Sequence, residues 1–365
     1  MCPWNLLVCI GDTFRQQNMV AWQPIMTPLK IIVVFLIAGV CFIPTGTSVW
    51  QASNGVFEKV VYYDNGGGES GNQCSISKQN QRRRCPITFT IDQDVKGPLL
   101  VYYQLDNFNQ NHRIYVNSRS VNQLLGQNMG LSDLGTQCSP LTTNGSLILN
   151  PCGLIANSFF TDTYTLSYSG NNIANLNMDE TDISWPTDRS YKFKQVEGFQ
   201  YAAVPSSNTT CASVKISSPC KYYRDKAGQG YLFYYPNDAN VQYLYETYPQ
   251  HISPLKGVSD EHFIVWMRVA ALPNFRKLYG RINGDFKSGD TISFTVTANF
   301  EVRSFGGAKS LVITTASQFG GKNPGLGLAF IVVGSLSMFL GLVFILKQLI
   351  VPRSLGDPKL LDWER

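Results

Sequence analysis

The sequence predicts a membrane protein in which two transmembrane helices flank a large, mainly β ectodomain, an antiparallel β-sandwich with long loop and short-helix excursions. Three observations predict it. Apolar runs near the two ends of the 365-residue chain are long enough to cross a bilayer; the region between them holds six cysteines in three close couples; and that region contains runs with the two-residue alternation of half-buried strands.

The first apolar run, Leu29 to Ile43, is interrupted only by Lys30 and continues through Pro44 to Ser48 as far as Trp50, about 22 residues, enough for a spanning helix. A cleaved signal peptide is the alternative, but about 28 residues precede the run and Trp50 suits a membrane interface. The second run, Leu326 to Leu346, carries no charge over about 21 residues and would cover roughly 31 Å as a helix. The polar stretch Lys347 to Arg365 that follows argues against a glycolipid-anchor signal. The expected organisation is a tail at 1–28, a first span at 29–50, an ectodomain at 51–324, a second span at 325–347 and a tail at 348–365. Arg15 and Lys30 precede the first span, and Lys347, Arg353, Lys359 and Arg365 follow the second, whereas the inner flanks hold Lys59, Lys309 and Lys322; this bias favours cytosolic termini.

Of nine cysteines, Cys74, Cys85, Cys138, Cys152, Cys211 and Cys220 lie between the spans. Six cysteines allow 15 pairings, of which neighbour pairing, closing loops of about 10, 13 and 8 residues, is the simplest. Zinc ligation is disfavoured because no couple has Cys-x-x-Cys spacing. Asn144-Gly145-Ser146 and Asn208-Thr209-Thr210 are N-glycosylation sequons, so Asn144 and Asn208 are the candidate glycan acceptors of an oxidised, exoplasmic or lumenal domain.

Strand chemistry marks Leu99 to Tyr103, Tyr231 to Tyr235, Phe263 to Val269, Thr291 to Ala298 and Ser310 to Thr315. In Thr291 to Ala298, Ile292, Phe294 and Val296 alternate with polar residues. Gly66 to Gly68, Asn283-Gly284-Asp285 and Gly306-Gly307 supply turn residues. Phe263 to Val269 reads as a strand covered on both faces, broken by Leu272-Pro273-Asn274 before a further short element at Arg276 to Tyr279. The polar stretches Asn107 to Asn128 and Asn171 to Asp182 read as ordered excursions over the sandwich.

The chemistry of catalysis is not legible. The formal charge of +5 is spread over the chain, and the run Arg82 to Arg84 has no aromatic ladder beside it, which argues against nucleic-acid binding. His112, His251 and His262 have no metal-ligand spacing, and neither a nucleophile elbow nor a phosphate loop occurs. No cofactor is expected. On layout alone, a two-span adhesion or receptor glycoprotein fits equally.

Five stretches in order select one family. FRQQ and AWQP (Phe14 to Gln17, Ala21 to Pro24), YYQLDNFNQNHRIYVNSR (Tyr102 to Arg119), NPCGLIANSFF (Asn150 to Phe160), SWPTD (Ser184 to Asp188) and HFIVWMRVAALPNFRKLYGRI (His262 to Ile282) together resemble the non-catalytic β subunits of type-IV P-type ATPases, the phospholipid flippases. The resemblance runs nearly end to end. It implies a two-span protein with a glycosylated β-sandwich ectodomain, partner in a heterodimer to a catalytic ATPase α subunit. It also implies a role in folding that pump, in its export from the endoplasmic reticulum and in its transport cycle, with catalysis in the partner. The chain departs from the family in two places: Phe160 to Thr163 lacks an Asn that members often carry there, and Met1 to Gly11 is unlike the usual polar tail.

On this resemblance the expected partner contacts are Phe14, Arg15, Gln16, Gln17 and Trp22 on the cytosolic side, and Gly334 and Gly341 in the second span, aided by Gly325 and Gly327. On the exoplasmic side, Arg268, Arg276, Lys277 and Arg281 are expected to face ATPase loops or lipid headgroups.

Overall fold

The computed structural model describes residues 15–16, 27–64, 74–169, 176–205, 209–316 and 320–352. Among the described residues the three longest helices are α1 (Pro28–Asn54), α2 (Glu261–Met267) and α3 (Pro324–Ile350). The chain forms two compact units, a helix pair and an ectodomain from Val56 to Lys322.

In the helix pair, α1 and α3 are each 27 residues long, with most side chains exposed, as befits helices that cross a membrane rather than a soluble core. Thr27 and Asn323 cap their first turns, and each has proline in its first turn. The buried positions of α1 include Ile32, Gly39, Gly46, Val49 and Ser53; those of α3 are Gly327, Gly334 and Gly341. This near-heptad spacing makes a seam, and glycine is what lets the backbones meet. A Cβ on Gly46 would lie 2.9 Å from the Gly327 carbonyl oxygen, and one on Gly334 would lie 2.9 Å from Ile43. Pro44 interrupts the α1 ladder, where Thr47 and Ser48 hydroxyls donate to the Pro44 carbonyl at 2.9 Å and Thr45 donates to Cys41 at 2.7 Å.

The ectodomain strands are β1 (Glu58–Asp64), β2 (Arg83–Thr90), β3 (Leu99–Asp106), β4 (Thr143–Asn144), β5 (Leu147–Asn150), β6 (Thr163–Ser169) and β7 (Met178–Asp179). They continue with β8 (Gln200–Val204), β9 (Lys221–Arg224), β10 (Gly230–Tyr234), β11 (Val241–Tyr243), β12 (Phe275–Ile282), β13 (Thr291–Ala298) and β14 (Ala308–Thr314). A five-stranded antiparallel sheet, β1-β14-β3-β12-β7, faces a three-stranded one, β2-β13-β6. Alternation aims Leu99, Val101, Tyr103 and Leu105 of β3, and Ile292, Phe294 and Val296 of β13, into one core. Tyr164 of β6 meets Tyr63 of β1 and Tyr279 of β12 edge-on across it. The small sheets β8-β10-β9 and β11-β5-β4 complete the unit; β11 pairs with β5 in parallel, the exception to the antiparallel expectation.

Disulfides join Cys74 to Cys85, Cys138 to Cys152 and Cys211 to Cys220. Of the sequence-expected turns, Gly306 adopts positive φ in its loop and Gly66 to Gly68 lie outside the described residues. The polar run after β3 is ordered by helical turns at Arg113–Asn117 and Val121–Leu124.

Phe263 to Val269 is not a strand. The Asp260 carboxylate accepts from the amides of His262 and Phe263, Glu261 sits in the first turn, and the segment winds into α2. Phe263, Ile264, Trp266 and Met267 are buried, a spacing that suits one helical face against the core. A short apolar run does not by itself distinguish these two fates.

Candidate functional site

β12 follows α2, and its alternation decides where its cations go. Phe275, Lys277 and Tyr279 are buried while Arg276 is exposed. Arg276 pairs with Glu58 at 2.7 Å and donates to the Gln104 side chain at 2.8 Å across the outer face of the sheet. Lys277, expected at the surface, is 6% exposed. Its ammonium donates to the carbonyls of Val265 at 3.1 Å, Trp266 at 3.2 Å and Arg268, closing the C-terminal end of α2 and lying over the Trp266 and Phe275 rings. Burial, with the Arg268 charge adding, pushes its pKa down to about 7. Three acceptors call for three N–H donors, so the charged form is the one this cradle fits. Arg281 donates to the Thr181 carbonyl at 2.7 Å.

Arg268 lies just beyond α2. Its guanidinium bonds the Asp188 carboxylate at 3.0 Å and stacks over the Trp185 ring with its centre 5.0 Å from the centroid. Asp188 also takes Lys192 at 2.7 Å. Burial works against its charge, yet Lys192 and Arg268 outweigh that and hold its carboxyl below the ordinary value. Trp185 is 61% exposed. These groups border a groove of about 390 Å³ whose walls include Tyr102, Trp185, Arg268, Arg276 and Leu278. The groove gathers three of the four exoplasmic candidates, with Lys277 as an inward brace; Arg281 does not line it. Sequence reasoning passed over Trp185, Asp188 and Glu58, which complete the arrangement; the SWPTD motif was the available signal for the first two.

The motif stretches converge on Trp266. Its indole donates to the Ile155 carbonyl at 2.8 Å, and Phe108 and Phe160 pack on its ring. Three of the four ectodomain stretches thus form one core, and the fourth is tied to it through Arg268 and Asp188.

Other candidates fall elsewhere. Gly334 and Gly341 face Ile43 and Leu36 of α1, so the seam expected to receive an ATPase helix is filled by the chain's own first span. Arg15 and Gln16 are exposed; Phe14, Gln17 and Trp22 lie outside the described residues. Asn144 is exposed on β4 and its side-chain amide reaches Gln242 at 2.9 Å, while Asn208 lies outside the described residues. His262 bonds Glu180 at 3.0 Å. Among the described residues no cluster of three or more His, Cys, Asp or Glu is arranged to hold a metal ion.

Comparison with known proteins accounts for this architecture. The model of the LEM3 (ligand-effect modulator 3) family / CDC50 family matches residues 49–354. The chain is 36% identical over 358 residues to ALA-interacting subunit 3 of Arabidopsis thaliana, covering 96% of this chain and 89% of that protein. It is 34% identical over 344 residues to cell cycle control protein 50A of Bos taurus, covering 92% and 87%. It is 29% identical over 388 residues to phospholipid-transporting ATPase accessory subunit CRF1 of Saccharomyces cerevisiae, covering 97% and 88%. With a family match that reaches from the end of the first span past the second, on a disulfide-stapled β ectodomain, the chain belongs to the LEM3/CDC50 family.

Proposed function

We propose that this chain is the non-catalytic accessory (β) subunit of a phospholipid-translocating type-IV P-type ATPase, forming a heterodimer with the catalytic α subunit. In this role it supports the folding of the pump, its export from the endoplasmic reticulum and its transport cycle. The observation that carries the reading is the family match across residues 49–354, which spans the whole ectodomain and α3. Relatives covering nearly the full chain are named as ALA-interacting and phospholipid-transporting ATPase accessory subunits, which supports extending that role to it. Both termini are cytosolic in this reading and the ectodomain is exoplasmic, which agrees with three disulfides and with the flanking charges. Asn144 and Asn208 carry glycans, and the complex resides in the endoplasmic reticulum, Golgi or endosomes, or plasma membrane. The cytosolic stretch from Phe14 to Trp22 and the Trp185–Arg268 groove contact the α subunit.

Affinity purification of the tagged chain in mild detergent tests this. A type-IV ATPase should be recovered with it, and depleting the chain should retain that ATPase in the endoplasmic reticulum. An abundant chain that brings down no ATPase, with pump export unaffected by its depletion, would refute the proposal.

A further inference from the structure

The three disulfides sit in unlike surroundings. Cys74, Cys138 and Cys152 are fully buried and Cys85 is 5% exposed. Cys74 and Cys85 belong to the main core, and the Cys138–Cys152 bond packs with Leu134 and Leu149 in a second cluster. Both ends of that second bond are held: the Ser118 hydroxyl donates to the Cys138 carbonyl at 3.0 Å, and the Cys152 amide donates to the Gln123 side-chain oxygen at 2.8 Å. Cys211 and Cys220, by contrast, are each half-buried. A thiolate attacks a disulfide only where it has access to the sulfur, so this is the bond of the three that exchange can reach on the folded chain.

The bond tethers a cover, not a core strand. In the small sheet β8-β10-β9 both outer strands run antiparallel to β10. The bond lies in the connection from β8 to β9, and Cys220 directly precedes β9. Within that connection Val214 and Ile216 pack with Leu232 of β10 and Val204 of β8, an apolar cluster separate from the main core. Phe233, on the opposite face of β10, belongs to the main core. The connection also has bonds of its own: the Ile216 amide donates to the Cys211 carbonyl at 3.1 Å and the Ser217 amide to the Gln200 side chain at 2.9 Å. Neither these nor the β9–β10 ladder needs the sulfur bond, so opening it loosens the cover and leaves the sheet and the main core in place. The Cys220 amide donates to the Cys211 sulfur at 3.3 Å, so negative charge arriving on that sulfur meets a donor already in position.

We propose that Cys211–Cys220 is a thiol–disulfide exchange site, opened and re-formed on the folded ectodomain by a dithiol of the kind carried by Cys-x-x-Cys oxidoreductases. One thiolate of the dithiol attacks the Cys220 sulfur and forms a mixed disulfide, while the Cys211–Cys220 bond breaks and Cys211 leaves as the thiolate beside the Cys220 amide. The second thiol of the reagent then displaces Cys220. The dithiol is oxidised to its own disulfide, and the two cysteines take up the two electrons and two protons; the oxidised reagent closes the bond by the reverse steps. The cover over Leu232 is what the exchange switches between tethered and loosened. This holds whether or not the chain partners an ATPase.

The test uses the full wild-type chain purified in mild detergent, treated under native conditions with graded dithiothreitol, alkylated, and read by peptide mass spectrometry. Cys211 and Cys220 should be alkylated at least about tenfold faster than Cys74, Cys85, Cys138 and Cys152, with the ectodomain still protease-resistant, and oxidised glutathione should re-form the bond. In the reduced chain, hydrogen exchange should rise over residues 210–219 and stay unchanged in β3 and β13. A disulfide isomerase whose second active-site cysteine is replaced by serine should be trapped on Cys220. Cys211→Ser/Cys220→Ser should fold with the other two bonds intact and reproduce the raised exchange. Equal reduction of all three bonds, opening of Cys211–Cys220 only in denaturant, or trapping that misses Cys220 overturns the exchange site. Reduction with no rise in exchange over residues 210–219 overturns the switch, and so does loss of protease resistance in the double variant, which would make the bond a structural staple. All of these outcomes leave the accessory-subunit reading standing.

Discussion

Two stretches that each carry a family motif treat their charges in opposite ways. From His262 to Ile282 every cation is satisfied by the chain itself, and the segment is a helix and a strand of the core. From Arg113 to Val121 the backbone is also held by hydrogen bonds through Ser118, but Arg113 and Arg119 are exposed and make no ion pair among the described residues. The first pattern ties its cations to the stability of the ectodomain, because an internally paired charge must give up its partner before it can serve another. Substitutions should therefore separate the two stretches: those at the paired cations cost stability, while those at Arg113 and Arg119 leave it nearly unchanged.

The largest effect on folding is expected at Lys277. Lys277→Met removes the donor to three carbonyls at the end of α2 and leaves them buried, so denaturant unfolding of the full chain in detergent should show a loss of about 2–3 kcal/mol. A loss of pump association with unchanged stability would instead place Lys277 at the partner surface and break the comparison.

A second buried lysine sharpens the point through pH. Lys309 is fully buried between Asp162 at 2.8 Å and Asp64 at 3.3 Å, and Tyr63 and the amides of Asn299 and Phe300 bond Asp162. Asp64 receives no hydrogen bond in good geometry, and burial, only partly opposed by Lys309, raises its pKa above the ordinary 3.8. A raised folded-state value means the folded chain binds the proton more tightly, so this contribution is complete below the ordinary range and is lost as pH rises through the raised value. Asp64→Asn should remove that dependence, gaining stability relative to wild type between acidic and neutral pH; a stability difference that does not vary with pH would contradict it.

Arg276→Ala should have the smallest effect. Its pair with Glu58 lies on the outer sheet face with the Arg276 side chain 37% exposed, so a loss of about 0.2–1 kcal/mol is expected in the same unfolding assay.

Much of this was legible in the sequence. The spans, the even cysteine count and the alternation of Thr291 to Ala298 are local signals that physical chemistry ties directly to structure. The side on which Lys277 lies was legible too, since Phe275, Lys277 and Tyr279 are two apart in a strand, but a Lys next to Arg276 reads as surface until the register is known. Phe263 to Val269 was ambiguous because its length and apolarity suit a buried strand and a buried helix alike; only the Asp260 cap decides it. The glycine seam was recognised without its partner, as spacing identifies a packing face but not which helix fills it. The convergence of separate motifs on Trp266 exists only in three dimensions.

The central claim is that this chain works as one half of a lipid pump. Its most direct measurement is the composition of the particle purified through a tag on the wild-type chain in mild detergent, by mass spectrometry of the intact complex. The account predicts one type-IV ATPase per copy of the chain; a particle containing the chain alone, or the chain with a soluble ligand, would contradict it.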